Sequence, residues 1–129
     1  MRLVSDDYWA IATIWMESSG EPYEGKVAVG EVIRNRTATK FFSNGSVPDT
    51  VLRPSQFSCW NATSPRRGLA AMLDGSDPVV MDCGKAWVES AESELTNGAN
   101  SYFNPTWVHP DWANGKPTVQ IGNHLFFKL

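Results

Sequence analysis

Little in this sequence favours a metal site or a disulfide framework. The 129 residues include only two cysteines and two histidines, namely Cys59, Cys83, His109 and His124. A closed tetrahedral zinc site needs about four such ligands in one cluster, and the spacing shows no such cluster, so we expect neither a metal nor another cofactor. For the two cysteines, a single disulfide and two buried free thiols are both open.

An excess of positive charge is also absent. Eleven Lys and Arg stand against fourteen Asp and Glu, and the net charge is −3. Without a basic block, charge-driven attraction to nucleic acid, to an anionic membrane or to an anionic wall polymer has no support. We therefore expect no nucleic-acid partner, and a polyanionic ligand would have to be held by contacts in a cleft.

Long apolar runs and an export signal are absent as well. Asp6 and Asp7 stand where a signal peptide carries positive charge, and the apolar run 8–16 is too short to cross a bilayer. We expect no membrane insertion. The length suits one compact catalytic domain over 1–129, with a monomer as the default.

Local signals predict mostly helices in the first three quarters of the chain. Ser5 before two acids predicts a helix start, and this helix should end near 18–20, with a core face made of Val4, Tyr8, Ile11, Ala12 and Trp15. Pro22 suits the first turn of a second helix, whose apolar residues should be buried on several sides: Val27, Ala28, Val29, Val32 and Ile33. Gly25 and Gly30 in that helix indicate close packing against another backbone.

The rest of the chain is predicted from turn signals. We expect a loop over 39–54, a short helix over 66–73 and a longer helix over 84–96 that ends at Asn97-Gly98. Gly122-Asn123 between the strand-like runs 118–121 and 124–127 indicates a hairpin. The predicted fold is therefore α+β and mostly helical, with a small C-terminal β-hairpin.

The window from Trp15 to Pro22 carries the most chemical information, because Glu17 and Glu21 flank a helix end. A carboxyl group beside an aromatic helix face is expected to be partly buried, and burial raises its pKa toward that of a general acid. From spacing alone, the alternative is a solvated Glu17 and a Glu21 that caps the next helix.

Four segments together resemble the SleB/CwlJ-type cell wall hydrolases, also known as the spore-cortex-lytic-enzyme-like family. The first is ESSGEPYEGKVAVGEVIRNR over 17–36, which is similar to the family's Glu-Ala-Arg-Gly-Glu-Pro, Gly-Gln-Val-Ala-Val and Asn-Arg motif. The others are PSQFSCW over 54–60, NGANSYFN over 97–104 and IGNHLF over 121–126. The four occur in the expected order and span almost the entire chain.

This resemblance implies a lysozyme-like, lytic-transglycosylase-like domain that cleaves the MurNAc–GlcNAc glycan of peptidoglycan. The first glutamate of the opening motif is the family's catalytic one, which is Glu17 here. It would act as an acid and then as a base, giving a 1,6-anhydro product by intramolecular attack. Glu21 is expected to bind backbone amides at the start of the second helix, or to support the substrate; as a second catalytic carboxylate it would favour hydrolysis instead.

Further site residues follow from the matched motifs. Gln56, Tyr102 and His124, with Glu21, are predicted to bind substrate, although a buried ring is an equal alternative for the tyrosine and the histidine. Asn104 and Asn123 also belong to the matched motifs, and the alternative for both is that they only shape turns. Three tryptophans are candidates for stacking on sugars, with core packing as the alternative: Trp60, Trp107 and Trp112.

Two departures from the family pattern stand out. Ser18 and Ser19 replace the usual Ala-Arg, so any contact of that arginine is absent. Glu31 stands where the family has a small apolar residue, and two environments are open for it: solvent or a neighbouring arginine.

No export signal is visible and the length leaves no room for a separate wall-binding domain, so we expect a minimal form that resembles a phage endolysin. We therefore expect synthesis in a host cytoplasm and action on the wall after release, with a bacterial hydrolase exported by another route as the nearest variant. The alternatives are a hydrolytic muramidase, a catalytically silent glycan-binding module and a structural virion component.

Overall fold

The computed structural model describes residues 5–54, 56–61, 64, 68, 70, 73–115 and 117–129. Four α-helices are present in these ranges: α1 (Asp6–Ser18), α2 (Tyr23–Thr39), α3 (Val47–Leu52) and α4 (Pro78–Glu89). A 3₁₀ helix covers Ser58–Trp60, and a sheet is made of β1 (Ser101–Phe103), β2 (Val119–Ile121) and β3 (His124–Phe127). The expectation of a mostly helical α+β fold is confirmed.

Helix α1 begins where the sequence predicts. The Ser5 hydroxyl accepts from the backbone N–H of Tyr8 at 3.3 Å, and the helix ends at Ser18. The predicted core face is partly wrong. The fully buried side chains include Ala10, Thr13 and Ile14, whereas Tyr8, Ile11 and Trp15 are only partly buried. Helices α2, α3 and α4 all pack against α1, so its buried surface is wider than one apolar stripe; Val4 lies outside the described residues.

Helix α2 is the buried centre of the helical layer. Pro22 directly precedes its first residue, and all five apolar residues predicted to be buried are fully buried. A Cβ at Gly30 would lie 2.7 Å from the Ser90 hydroxyl, which confirms close packing, although against a side chain rather than a backbone. At Gly25 a Cβ would meet the Glu21 side chain at 3.0 Å.

The loop predicted over 39–54 is wrong for Val47–Leu52, which form α3. The Ser46 hydroxyl caps this helix by accepting from the Asp49 N–H at 3.3 Å, and a proline occupies its first turn. The capping signal was therefore present in the sequence. A helix this short depends on tertiary contacts, here with α1 and α2.

The helix predicted over 84–96 is wrong at both ends, because α4 covers Pro78–Glu89. The Asp77 carboxylate accepts from the N–H groups of Val79 at 2.8 Å and Val80 at 3.4 Å, with Pro78 in the first turn. Asn97 and Gly98 have positive φ and shape a turn beyond the helix. The helix predicted over 66–73 lies mainly outside the described residues.

The sheet has the order β1-β3-β2, and both pairs are antiparallel. The hairpin of β2 and β3 around Gly122-Asn123 confirms the prediction. Strand β1 was not predicted, because three residues give too short a pattern. Its register places Tyr102 opposite Phe126, and alternation along β3 puts His124 on the same face as Phe126.

Candidate active site

Two adjoining depressions, with volumes of about 570 and 580 Å³, form one cleft between the helices and the sheet. Four of the described residues line both depressions: Glu17, Ser58, Asn104 and His124. Glu17 is half-buried in the last turn of α1. It is the carboxylate that the two halves share among the described lining residues, in agreement with its predicted position beside a cleft.

Tyr102 orients Glu17 from the opposite side of the cleft. Its hydroxyl donates a hydrogen bond to Glu17 Oε1 at 2.9 Å. Burial, together with the negative charge of Glu17 and this hydrogen bond, raises the pKa of Tyr102 well above its usual range. The phenol therefore stays protonated and can only donate to the carboxylate, which fixes the direction of that oxygen.

Arg36, near the C-terminal end of α2, is a site residue that the sequence analysis missed. Its guanidinium is buried, donates to Asn100 O at 2.5 Å and Gln56 O at 3.0 Å, and lies 4.6 Å from the Phe57 ring centre. Burial lowers its pKa, while the negative charge of Glu17 acts in the opposite direction. The Asn-Arg ending of the opening motif was the signal that could have identified it.

Glu21 is placed by the β-hairpin rather than by α2. Its Oε1 accepts from the backbone N–H of Asn123 at 2.8 Å, and its Oε2 accepts from the Asn123 side-chain amide at 2.9 Å. The expectation that it binds amides at the start of the second helix is therefore wrong. Gly122 has a φ of +57°, and a Cβ there would lie 2.5 Å from Glu21 Oε1, so only glycine fits this approach.

His124 lines both halves of the cleft and lies beside Tyr102 and Glu21. Its ring centre is 4.9 Å from that of Tyr102, and its Nδ1 is 3.7 Å from Glu21 Oε1. This nitrogen is buried and has no hydrogen-bond partner among the described residues. Burial lowers the pKa of His124 and the charge of Glu21 opposes that shift, so the imidazole is neutral at neutral pH.

The remaining predicted residues divide between cleft and core. Gln56 lines the same depression as Glu17 and Tyr102. Trp107 and Trp112 line opposite halves of the cleft, and Trp107 is 80% exposed. Trp60 is partly buried against the core, and its indole N–H donates to the Thr13 hydroxyl at 2.8 Å.

Asn104 and Asn123 both shape turns, as the sequence analysis allowed. Asn104 Oδ1 accepts from the N–H of Thr106 at 2.9 Å while the residue also lines both depressions. Phe41 and Phe42, which the sequence analysis missed, line the depression on the Arg36 side.

Lys26 stabilises the break between α1 and α2 and was also missed. Its side chain is buried, and Nζ donates to the carbonyl oxygens of Ser19 at 3.3 Å and Glu21 at 2.6 Å. A cation beside carbonyls at a helix C-terminus is favourable. The lysine therefore holds the segment that carries both glutamates.

Glu31 is buried away from solvent, and none of its hydrogen-bond partners among the described residues is an arginine. Its side chain is buried and accepts from four groups of the segment 93–96: the Ser93 and Thr96 hydroxyls and the backbone N–H groups of Leu95 and Thr96. This buried carboxylate fixes the segment that leads into β1 and hence toward Tyr102.

Cys59 and Cys83 are buried and not joined in a disulfide, which resolves the alternative left open by the sequence. Burial raises the pKa of Cys83 to about 11. Across the described ranges, no three His, Cys, Asp or Glu side chains come together as a metal site. No helix there is long and apolar enough to cross a membrane.

Known proteins are similar to this chain in sequence and in fold. A model of the cell wall hydrolase family matches residues 20–127 and thus begins after Glu17. The spore cortex-lytic enzymes of Bacillus subtilis and Oceanobacillus iheyensis are each 32% identical, over 114 and 116 residues. These matches cover 88% and 89% of this chain, which spans about a third of the length of these curated relatives (34% and 38%).

Two solved structures are also similar. The catalytic domain of Bacillus cereus SleB has a TM-score of 0.75 and 28% identity, covering 95% of this chain and 90% of the other. The catalytic domain of the germination-specific lytic transglycosylase SleB from Bacillus anthracis has a TM-score of 0.72 and 26% identity, covering 99% of both. The predicted lysozyme-like fold is confirmed, and the chain belongs to the cell wall hydrolase family.

Proposed function

We propose that this domain cleaves the MurNAc–GlcNAc bond of peptidoglycan as a lytic transglycosylase, with Glu17 as its acid/base. The observation that carries the proposal is the position of Glu17, half-buried where the two depressions meet and hydrogen-bonded by Tyr102 at 2.9 Å. Family membership and the likeness to a named lytic transglycosylase support the same substrate class.

The proposed chemistry needs one carboxyl group. Protonated Glu17 donates its proton to the leaving glycosidic oxygen as the bond to C1 breaks. The resulting carboxylate then accepts the proton of the muramoyl C6 hydroxyl, whose oxygen attacks C1 of the same sugar. Because this attack is intramolecular and has a high effective molarity, neither a protein nucleophile nor an activated water is required.

The surroundings of Glu21 favour this reaction over hydrolysis. A hydrolase of the usual type needs a second carboxylate that is free to act as nucleophile or base. Both Glu21 oxygens accept hydrogen bonds from Asn123. Glu21 is therefore better suited to hold the hairpin against the helices, and its predicted contact with substrate stays a prediction, as do those of Gln56, Tyr102 and His124.

The test is mass spectrometry of muropeptides released from purified sacculi by wild type, Glu17→Gln and Glu24→Gln. Glu24 is the matched control, because it is exposed in the first turn of α2 and does not line the cleft. We expect anhydro-muramoyl products from wild type and from Glu24→Gln, and a rate lower by roughly 10²- to 10⁴-fold for Glu17→Gln.

Other outcomes would redirect the proposal. Hydrated reducing ends from wild type would mean a muramidase and would return attention to Glu21. Sacculi that are bound but not cleaved would mean a glycan-binding module. Action from a host cytoplasm, in the manner of a phage endolysin, stays a prediction; expressing the chain with and without a membrane-permeabilising partner and measuring lysis would test it.

A further inference from the structure

Phe42 combines two properties that do not stabilise a folded chain. Its φ is +50°, a left-handed conformation that bulky residues rarely adopt, and its side chain is 64% exposed. The neighbouring Lys40 also has positive φ, but it is the cap of α2 and its N–H donates to carbonyls of the last turn. Phe42 is not the cap of a helix, so helix termination does not account for its positive φ.

The segment that carries Phe42 is held by specific contacts. The N–H of Phe41 donates to Arg36 O at 2.9 Å, and the N–H of Asn44 donates to Asp49 Oδ2 at 2.6 Å. The two phenyl rings meet edge to face with centres 4.9 Å apart. Phe42 is therefore presented to solvent by an anchored turn.

The exposed ring lies in the wall of the cleft. It lines the depression that also contains Glu17, Gln56 and Tyr102, whereas Trp107 lines only the other half. Backbone strain at a cleft residue is a common sign of function. Glu17 also lines this depression, so a ligand that occupies the depression lies next to the bond that Glu17 would protonate.

We infer that Phe42 forms a glycan subsite, in which a sugar ring of the strand stacks on its phenyl face, on the opposite side of Glu17 from Trp107. This inference rests on the proposed function for the identity of its ligand. The C–H face of a hexosamine is apolar and matches an aromatic face, while the polar rim of the sugar meets the amide of Gln56 in the same depression.

The first test measures binding rather than turnover. Glu17→Gln, with and without Phe42→Ala, is titrated with soluble peptide-free glycan strands of about ten sugars by calorimetry. We expect Phe42→Ala to raise the Kd by roughly 3- to 10-fold, the value of one aromatic contact. Phe42→Tyr should restore the wild-type Kd, and the control Val88→Ala, which removes an exposed apolar side chain on α4, should leave it unchanged.

The second test uses the active protein. With Glu17 present, Phe42→Ala should raise KM for these strands by a similar factor and change kcat by less than about twofold. An unchanged Kd and KM, or a loss of kcat alone with normal KM, would overturn the subsite. Failure of wild type to cleave sacculi would overturn the proposed function instead, and the Kd measurement would still decide the role of Phe42.

Discussion

Glu31→Gln should cost far more stability than its small chemical change suggests. In the folded chain each carboxylate oxygen accepts one hydroxyl and one backbone N–H from the segment 93–96. An amide keeps the shape but turns one oxygen into an NH₂ group. A hydroxyl can rotate to accept from this group, whereas the backbone N–H of Leu95 or Thr96 cannot and would face another donor.

The size of this loss follows from the hydrogen bonds. One buried backbone N–H left unsatisfied costs about 1–3 kcal/mol, and the remaining bonds weaken from charge-assisted to neutral ones. We expect a decrease of about 3 kcal/mol in the free energy of unfolding, or roughly 10 °C in Tm for a domain of this size.

Urea denaturation followed by tryptophan fluorescence, and thermal unfolding followed by circular dichroism, would measure this effect. Glu94→Gln is the matched control, because Glu94 is an exposed glutamate in the same segment. Glu94→Gln should lower the free energy of unfolding by no more than about 0.5 kcal/mol. If Glu31→Gln lost less than about 1 kcal/mol, or no more than the control, the reasoning from the four hydrogen bonds would be refuted.

Three further predictions concern the site. Gly122→Ala should lower the free energy of unfolding by about 2–3 kcal/mol, because its φ is +57° and its Cβ would lie 2.5 Å from a carboxylate oxygen; Gly75→Ala, with no heavy atom within 4 Å of the new Cβ, should be close to neutral in the same urea titration. Tyr102→Phe removes the hydrogen bond to Glu17 and should lower kcat by about tenfold with little change in KM, measured on soluble glycan strands; a wild-type kcat would contradict an orienting role. Because burial lowers the pKa of His124 below its usual 6.5, the unfolded chain binds more protons at mildly acidic pH. Stability should therefore fall as the pH drops through 6.5 and level off below the folded-state pKa, and His124→Gln should reduce this dependence in urea titrations from pH 8 to 5.

Much of the helical layer, and the C-terminal hairpin, could be predicted from local signals. Ser5 caps α1 as expected, the apolar residues of α2 are buried, and Gly122-Asn123 turns the hairpin. These features depend on capping, periodicity and backbone conformation, which neighbouring residues determine. The errors at α3 and α4 were of another kind. Both helices begin at a side-chain cap and have a proline in the first turn, so the sequence carried a signal for each start.

The site itself was predicted in part. The opening motif identified Glu17, and the closing motifs contributed Tyr102 and His124, which the structure places around one cleft. Arg36 and Lys26 lie within that same opening motif, yet their roles depend on which carbonyl oxygens their side chains reach. No local pattern indicates those oxygens.

The family, the position of Glu17 at a helix end and the hairpin near the C-terminus all follow from motifs and local signals in the amino-acid sequence. The surroundings of that glutamate depend instead on the three-dimensional packing. Tyr102 is 85 residues from Glu17, and Asn123 is 102 residues from Glu21. Contacts over such separations arise from how the helices pack on the sheet, because burying apolar surface brings distant polar groups together at its edge.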